Sequence, residues 1–388
     1  MSKSHPYGIL LIAGRRTHQE NYALLFASDP RCRLIAVTDE IDVPDYRSTL
    51  NQQFAEEMDL PYIPDLDEAL AREDVDIASV CAEQERRGRV AVRCAQAGKH
   101  LYLDKPMTPS VEDADAVVSA VEEAGVYSQM FSFIHYPWVQ EAREAVESGA
   151  VGEIVAMHCD VMFAKGYTAD QLPEKPREEE PRPERFTFID SKRELNTTGI
   201  YAISLIRWIA DAEVRKVFCV TSNYFFVEHR RNQIEDFGVL ALTLDNGIVA
   251  TVACGRIGWK SHPAGGPNRL YIFGTEGSLM VDASKPRVEV YTDEPPWTPP
   301  PASALDPMSF WRSTQVEMGT KPKTNWIAIQ EDSPSDASRF IDYIESGRES
   351  EMSAKDGAAS VETLMAGYMS AAKGHVVSLP IPRSTDQT

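Results

Sequence analysis

The chain has 388 residues, 43% of them apolar and 25% charged, enough for two domains with their own cores and ordinary for a globular protein. A formal net charge of −20 repels phosphate backbones and anionic lipid, which argues against nucleic-acid and membrane partners. The six cysteines (Cys32, Cys81, Cys94, Cys159, Cys219, Cys254) show no metal-like spacing, several lie in apolar runs, and the opening "MSKSHPYG" has no apolar leader, so the sequence reads as cytoplasmic.

Residues 1–130 alternate short apolar runs with helical patterns. Strands are predicted at 8–13, 33–39, 61–63, 75–81, 100–104 and 126–133. Uninterrupted runs such as Ile9-Leu10-Leu11-Ile12 suit strands covered on both faces. Between them, Val90, Ala91, Cys94 and Ala95 recur at helical spacing ahead of Gly98. A second helix opens at Ser110, an N-cap with Asp113 three residues on, and stops at Gly125. These β–α repeats predict an α/β, doubly wound parallel sheet of the Rossmann kind.

Beyond residue 150 the strands lengthen, at 153–163, 215–226, 235–244, 247–255, 269–273 and 278–281. Asp245-Asn246-Gly247 signals a two-residue hairpin, and Gly274 to Gly277 a second tight turn. Helices are expected near 199–210, 335–346 and 358–372. The second half, 131–388, thus reads as an α+β domain with an open, largely antiparallel sheet, its C-terminal helices (335–372) packing back on the body. The proline-rich stretches 173–185 and 293–307 read as connecting loops.

In "GILLIAGRRTHQENYALLF" (8–26) a strand enters a helix through a turn with one glycine, Gly14, at the middle position of G-x-G-x-x-G. A side chain there would obstruct a pyrophosphate most directly, and the helix start offers N–H groups and a positive dipole end, with Arg15 and Arg16 as added charge. The same turn also reads as a plain strand–helix connection. Asp39, ending the second strand, is placed to accept ribose hydroxyls and to favour NAD over NADP, although it also suits a strand-end turn; Arg15, Arg16 or Arg47 could reverse the preference. In "HLYLDKPMTPS" (100–110), Asp104 and Lys105 stand where ligands bind in such sheets, and alternation points only one of them into the cleft.

With Asp104-Lys105-Pro106 after the fifth strand, "SGAVGEIVAM" (148–157), "IFGTEGSLMVD" (272–282) and "DGAASVETLMAGYMSAAKGHVVSLP" (356–380), the chain resembles the glucose–fructose oxidoreductase / inositol dehydrogenase / rhizopine catabolism (Gfo/Idh/MocA) family over nearly its whole length. The resemblance implies NAD, with NADP possible, on the first domain, and a sugar, cyclitol or related substrate against the second domain's sheet. It implies candidate cofactor contacts at Ala13, Gly14, Arg15, Arg16, Asp39, Ala82, Gln84, Asp104 and Lys105. It also implies a homodimer or homotetramer through the C-terminal sheet. The family's aspartate and histidine, four residues apart, are replaced by Thr197 and Tyr201 in "NTTGIYAISLIRW" (196–208), and Gln84 stands for the usual asparagine in "AEQERRG" (82–88).

Alcohol oxidation needs a base, and Lys105 is the candidate. A free lysine titrates at about 10.4, and desolvation beside an oxidised nicotinamide would lower that. Tyr201 is expected to relay or donate a proton, its pKa lowered by the lysine, unless it is simply a core aromatic. Asn196 and Thr197 are candidate substrate hydroxyl partners; His135 and Tyr136 are candidate substrate contacts or else interface packing. Arg256, Trp259 and Lys260 line a sugar site or a plain loop. His18 reads as a surface or phosphate-side residue. His158 and Asp160 share a strand face, but two ligands make no metal site, and no metal is expected. The readings, in order, are an NAD(P)-dependent dehydrogenase or reductase of carbohydrate CH–OH groups, a glycosidase or lyase working through transient oxidation with retained cofactor, and a non-catalytic NAD or sugar sensor.

Overall fold

In the computed structural model, residues 6–164, 193–225, 229, 233–257, 268–282, 287–292 and 334–383 are described. The proline-rich stretches 173–185 and 293–307, with Trp259 and Lys260, lie outside them.

The first sheet has the order β3-β2-β1-β4-β5-β6, built from Tyr7–Ile12 (β1), Cys32–Thr38 (β2), Tyr62–Ile63 (β3), Ile77–Val80 (β4), His100–Leu103 (β5) and Ser128–Met130 (β6). Every pairing in it is parallel. All six β1 residues are buried, as the unbroken apolar run requires of a strand covered on both faces. Helices Gln19–Ala27 (α1), Asp45–Glu57 (α2), Leu66–Leu70 (α3), Gln84–Gln96 (α4) and Val111–Ala124 (α5) supply the cover. The predicted caps of α5 are present: Ser110 Oγ accepts from the N–H of Asp113, and Gly125 closes the helix at φ 64°. Strand order reverses between β1 and β4, so the carboxyl ends of β1, β2, β4 and β5 open onto one crevice, the usual ligand position in this topology.

Helix Pro137–Glu147 (α6), with its proline at the first turn, leads into the second sheet, of order β13-β12-β11-β7-β10-β9-β8-β14. Its strands are Ile154–Ala164 (β7), Val214–Ser222 (β8), Phe237–Leu244 (β9), Val249–Ile257 (β10), Asn268–Gly274 (β11), Gly277–Asp282 (β12), Arg287–Thr292 (β13) and Val377–Ser378 (β14). Only β7 and β10 run parallel; the other pairings are antiparallel, as expected of this half. β13 lies in a stretch where the sequence reading placed no strand. The hairpin at Asp245 differs from the two-residue turn expected: Leu244 pairs with Ile248, leaving three loop residues with Gly247 at φ 88°, which relaxes the turn.

Helix Glu194–Ala210 (α7) lies on β7 and β10. Helix Ala354–Lys373 (α9) covers β8 and reaches α5. Between them, helix Asp336–Ser346 (α8) packs on α1 and inserts Ala337, Phe340 and Ile341 into the core formed by Phe26 of α1 with Ile9, Leu11 and Tyr102 of the first sheet.

Candidate active site

At the turn after β1, the left-handed positions are Ala13 (φ 65°) and Arg16 (φ 62°), not Gly14. A Cβ on Gly14 would come within 2.9 Å of the Phe54 Cβ and 3.0 Å of the Asn51 Cα. This glycine is therefore demanded by close packing against α2, whatever ligand the turn faces. Thr17 Oγ1 donates to the Gly14 carbonyl at 2.6 Å and accepts the N–H of Gln19 at 3.0 Å. Arg15 points along α2 to Glu57, 3.0 Å away, rather than into the crevice; Arg16 is exposed.

The end of β2 holds the largest departure from expectation. Asp39 is wholly buried, its carboxylate bridged by both terminal nitrogens of Arg86 at 2.5 and 3.0 Å. Arg86, also wholly buried, reaches Glu83 at 2.6 Å. Glu83 in turn meets Arg47 at 2.8 Å. Burial pushes the Glu40 carboxyl up, but Arg89 and Arg86 outweigh it and hold it below its usual value. The reason lies in α4, which starts shortly after β4 and carries Arg86 and Arg87 in its first turn over the ends of β2 and β5. Ala82 is buried, and its carbonyl accepts from Arg87.

Asp104 and Lys105 diverge, as strand alternation requires. Asp104 turns back into the first domain: Oδ1 meets His18 Nδ1 and the Tyr22 hydroxyl, both at 2.8 Å, and Oδ2 meets Arg87 at 2.6 Å. Burial raises its carboxyl, yet the charges of Arg87, His18 and Lys105 hold it far below the ordinary range. Asp104 thereby orients His18, which stands half-exposed at the start of α1.

Lys105, 5% exposed, crosses to α7, donating to the Thr197 carbonyl at 2.9 Å. Its Nζ sits 4.4 Å from the centroid of the Tyr201 ring. Tyr201 lies flat on Phe133, ring centroids 3.9 Å apart. Burial, then Asp104, Tyr136 and Asp336, raise the Tyr201 phenol well above its usual value. The expected lowering is thus reversed, because the lysine touches the ring face and not the oxygen. Thr197 Oγ1 is turned to its own helix, on the Arg193 carbonyl. Asn196 donates from Nδ2 to Gln84 Oε1 at 3.3 Å, joining α7 to the first residue of α4, and its backbone N–H donates to the Tyr368 hydroxyl. Beside it, Arg256 pairs with buried Glu194 at 2.8 Å.

His135 leaves the site. Its Nδ1 is 2.6 Å from Asp336 Oδ1, and Asp336 Oδ2 also accepts from Tyr102 and Gln129, so the imidazole anchors α8 instead of meeting substrate. Tyr136 stays near the cleft, its ring 5.2 Å from Phe133 and stacked on Trp138. His158 hydrogen-bonds Asp160 and Thr251 on the far face of the second sheet.

Sequence reasoning missed Arg86, Asn51, Phe133 and Tyr368. A signal existed for the first: arginines in the first turn of a helix oppose its dipole and call for carboxylate partners. The structure also offers a fit for a dinucleotide's nicotinamide end. Asn196 Oδ1 is buried without a hydrogen-bond partner at the crossing of α7 and the start of α4, an acceptor awaiting an N–H or O–H donor.

Two family models match the chain: "Oxidoreductase family, NAD-binding Rossmann fold" over residues 14–132, and "GFO/IDH/MocA C-terminal domain" over 139–280. D-apiose dehydrogenase of Paraburkholderia graminis is 25% identical over 320 residues, covering 80% of this chain and 74% of that protein. The scyllo-inositol 2-dehydrogenase (NAD(+)) of Bacillus subtilis is 24% identical over 262 residues, 66% of this chain and 68% of that one. Among solved structures, the WlbA dehydrogenase of Bordetella pertussis, in complex with NADH and UDP-GlcNAcA, shares the fold at a TM-score of 0.69 and 18% identity, over 97% of this chain and 100% of that one. The parallel sheet with its crevice, the mixed second sheet and both family matches lead to one conclusion: the chain belongs to the Gfo/Idh/MocA family of NAD(P)-dependent oxidoreductases.

Proposed function

We propose that the protein interconverts a CH–OH group and a carbonyl on a sugar, cyclitol or related carbohydrate, with Lys105 as the acid–base. The observation that carries this is the Lys105 ammonium group, brought by β5 to the seam between the domains and held between the Thr197 carbonyl and the Tyr201 ring. The dinucleotide, when bound, accepts or returns the hydride. The turn from Ala13 to Arg16 and the start of α1 face its phosphates, and Gln84 and Asn196 flank its nicotinamide end.

The chain's own part is to bind, orient and move one proton. In the oxidative direction a neutral Lys105 Nζ takes the proton of the reacting hydroxyl; in the reductive direction the ammonium returns it. Thr197's carbonyl and the Tyr201 face fix the amine's position, so that reacting atoms meet without a search. Phe133, Tyr136 and Phe163, clustered round Tyr201, present an apolar wall suited to a sugar face and exclude water. Asn196 Oδ1 takes either a substrate hydroxyl or a carboxamide N–H. Screening sugars and cyclitols for NADH absorbance tests this reading: turnover lost in Lys105→Met supports it, and turnover kept in that variant defeats it. Substrate cleavage without net NADH would point to the elimination chemistry instead.

A second copy of the chain covers the outer face of the second sheet. Phe218, Val220, Val239, Val249 and Phe273 are each more than a third exposed, and alternation along their strands gathers them on that side as an apolar patch of the kind that marks an association surface. No described helix is long and apolar enough to cross a membrane. Buried, unpaired thiols suit a reducing compartment, and we place the protein in the cytoplasm.

A further inference from the structure

A strand-end carboxylate selects NAD by accepting hydrogen bonds from the adenosine ribose and by repelling the 2′-phosphate of NADP. Both actions need a carboxylate with acceptor capacity and charge to spare. Two oxygens offer about four lone-pair sites. In Asp39, Oδ1 already accepts the Glu40 N–H at 2.9 Å and Arg86 Nη1 at 2.5 Å. Oδ2 accepts Asn51 Nδ2 at 2.8 Å and Arg86 Nη2 at 3.0 Å. All four sites are filled, and the residue is 0% exposed.

Arg86 is not a guest that a ribose displaces. It is itself 0% exposed and is bound as well to Glu83, so moving it strands a buried guanidinium and two buried acids. The charge around it is matched: Asp39, Glu40, Glu83 and Asp67 are each paired to arginines, drawn from Arg47, Arg86, Arg89 and Arg93. None of these four carboxylates is left without an arginine to reject an extra phosphate. At the rim, the Arg89 side chain, paired with Glu40, is 53% exposed. Beside the turn, the amide Oδ1 of Asn51 lies against Gly14 as a neutral acceptor without a partner among the described residues.

We propose that Arg86 withdraws Asp39 from cofactor selection, so that the protein holds NAD+ and NADP+ with comparable affinity. The inference rests on the dinucleotide binding of the preceding reading. Its test is a calorimetric titration of the intact protein with each nucleotide. Dissociation constants within about tenfold of one another are expected; a wider preference for NAD+ overturns the inference. In Asp39→Asn, the ratio of the two constants is expected to change by less than about threefold, and a larger move toward NADP+ overturns the inference by showing Asp39 at work on the ribose. Arg86→Gln frees acceptor sites on Asp39 and is expected to widen the NAD+ preference beyond about tenfold; a folded variant with an unchanged ratio counts against it. Should neither nucleotide bind the wild type, the oxidoreductase reading falls together with the inference. A strong NAD+ preference sinks the inference alone.

Discussion

Lys105 donates its hydrogen bond to the backbone carbonyl of Thr197, 2.9 Å away, while the Thr197 side chain is turned to its own helix. The grip on the lysine therefore survives a change of side chain at 197. Thr197→Val is expected to keep kcat within about tenfold of wild type, whereas Lys105→Met loses about 10²–10⁴ in kcat, the usual contribution of a positioned acid–base. Steady-state kinetics on a confirmed substrate check both.

Tyr201 supplies a surface more than a proton. With its phenol raised well above its usual value by burial and by Asp104, it stays protonated through the mildly alkaline range. Tyr201→Phe should leave the pH profile of kcat unmoved, while Tyr201→Leu, which removes the ring beneath the ammonium and against Phe133, should lower kcat/KM by about tenfold or more. A displaced alkaline limb in the phenylalanine variant would return the proton-relay role to this residue.

Asp104 contributes to acid stability. Its folded carboxyl is held below the unfolded value of about 3.9, so its contribution is complete above that value and is lost as pH falls through the lower folded one. Urea denaturation between pH 2 and 5 should show stability rising with pH, with a shallower rise in Asp104→Asn. An equal slope in the variant would contradict this.

His135 is structural. Replacing it with alanine breaks a buried pair with Asp336 and should cost about 2–4 kcal/mol, somewhat under the usual range because Tyr102 and Gln129 still serve the carboxylate. Chemical denaturation reads the loss. KM for substrate should not change, and a large KM increase in a folded variant would put the imidazole back in the cleft.

The outer face of the second sheet gives a last expectation. If the proposed second copy covers this patch, Phe218→Lys with Val249→Lys, which places two charges in it, should turn wild-type oligomers into monomers in sedimentation velocity with the secondary structure kept; a wild type that is already monomeric defeats the proposal.

Much of the architecture was legible because it is periodic. Buried parallel strands write unbroken apolar runs, as at Ile9–Ile12, and Ser110 with Gly125 marks both ends of α5. The same holds for the divergence of Asp104 and Lys105, which follows from alternation along a strand. Partners distant along the chain were not legible. Nothing near Asp39 announces that Arg86, 47 residues on, fills its carboxylate, or that Asp336 waits 201 residues beyond His135. Gly14 shows the limit from the other side: a motif position was read by its customary task, whereas the neighbouring helix decides what space exists there.

The seating of α8 binds the fate of the two lobes together. Phe340 is fully buried among Phe26 and Tyr102, and the polar cap formed by Tyr102, Gln129 and His135 closes only on Asp336. A fragment cut after residue 130 would keep every strand of the nucleotide sheet yet lay bare an aromatic hollow, so it should aggregate on expression. Ribosomal synthesis must deliver nearly the entire polypeptide before its earliest-made part can mature.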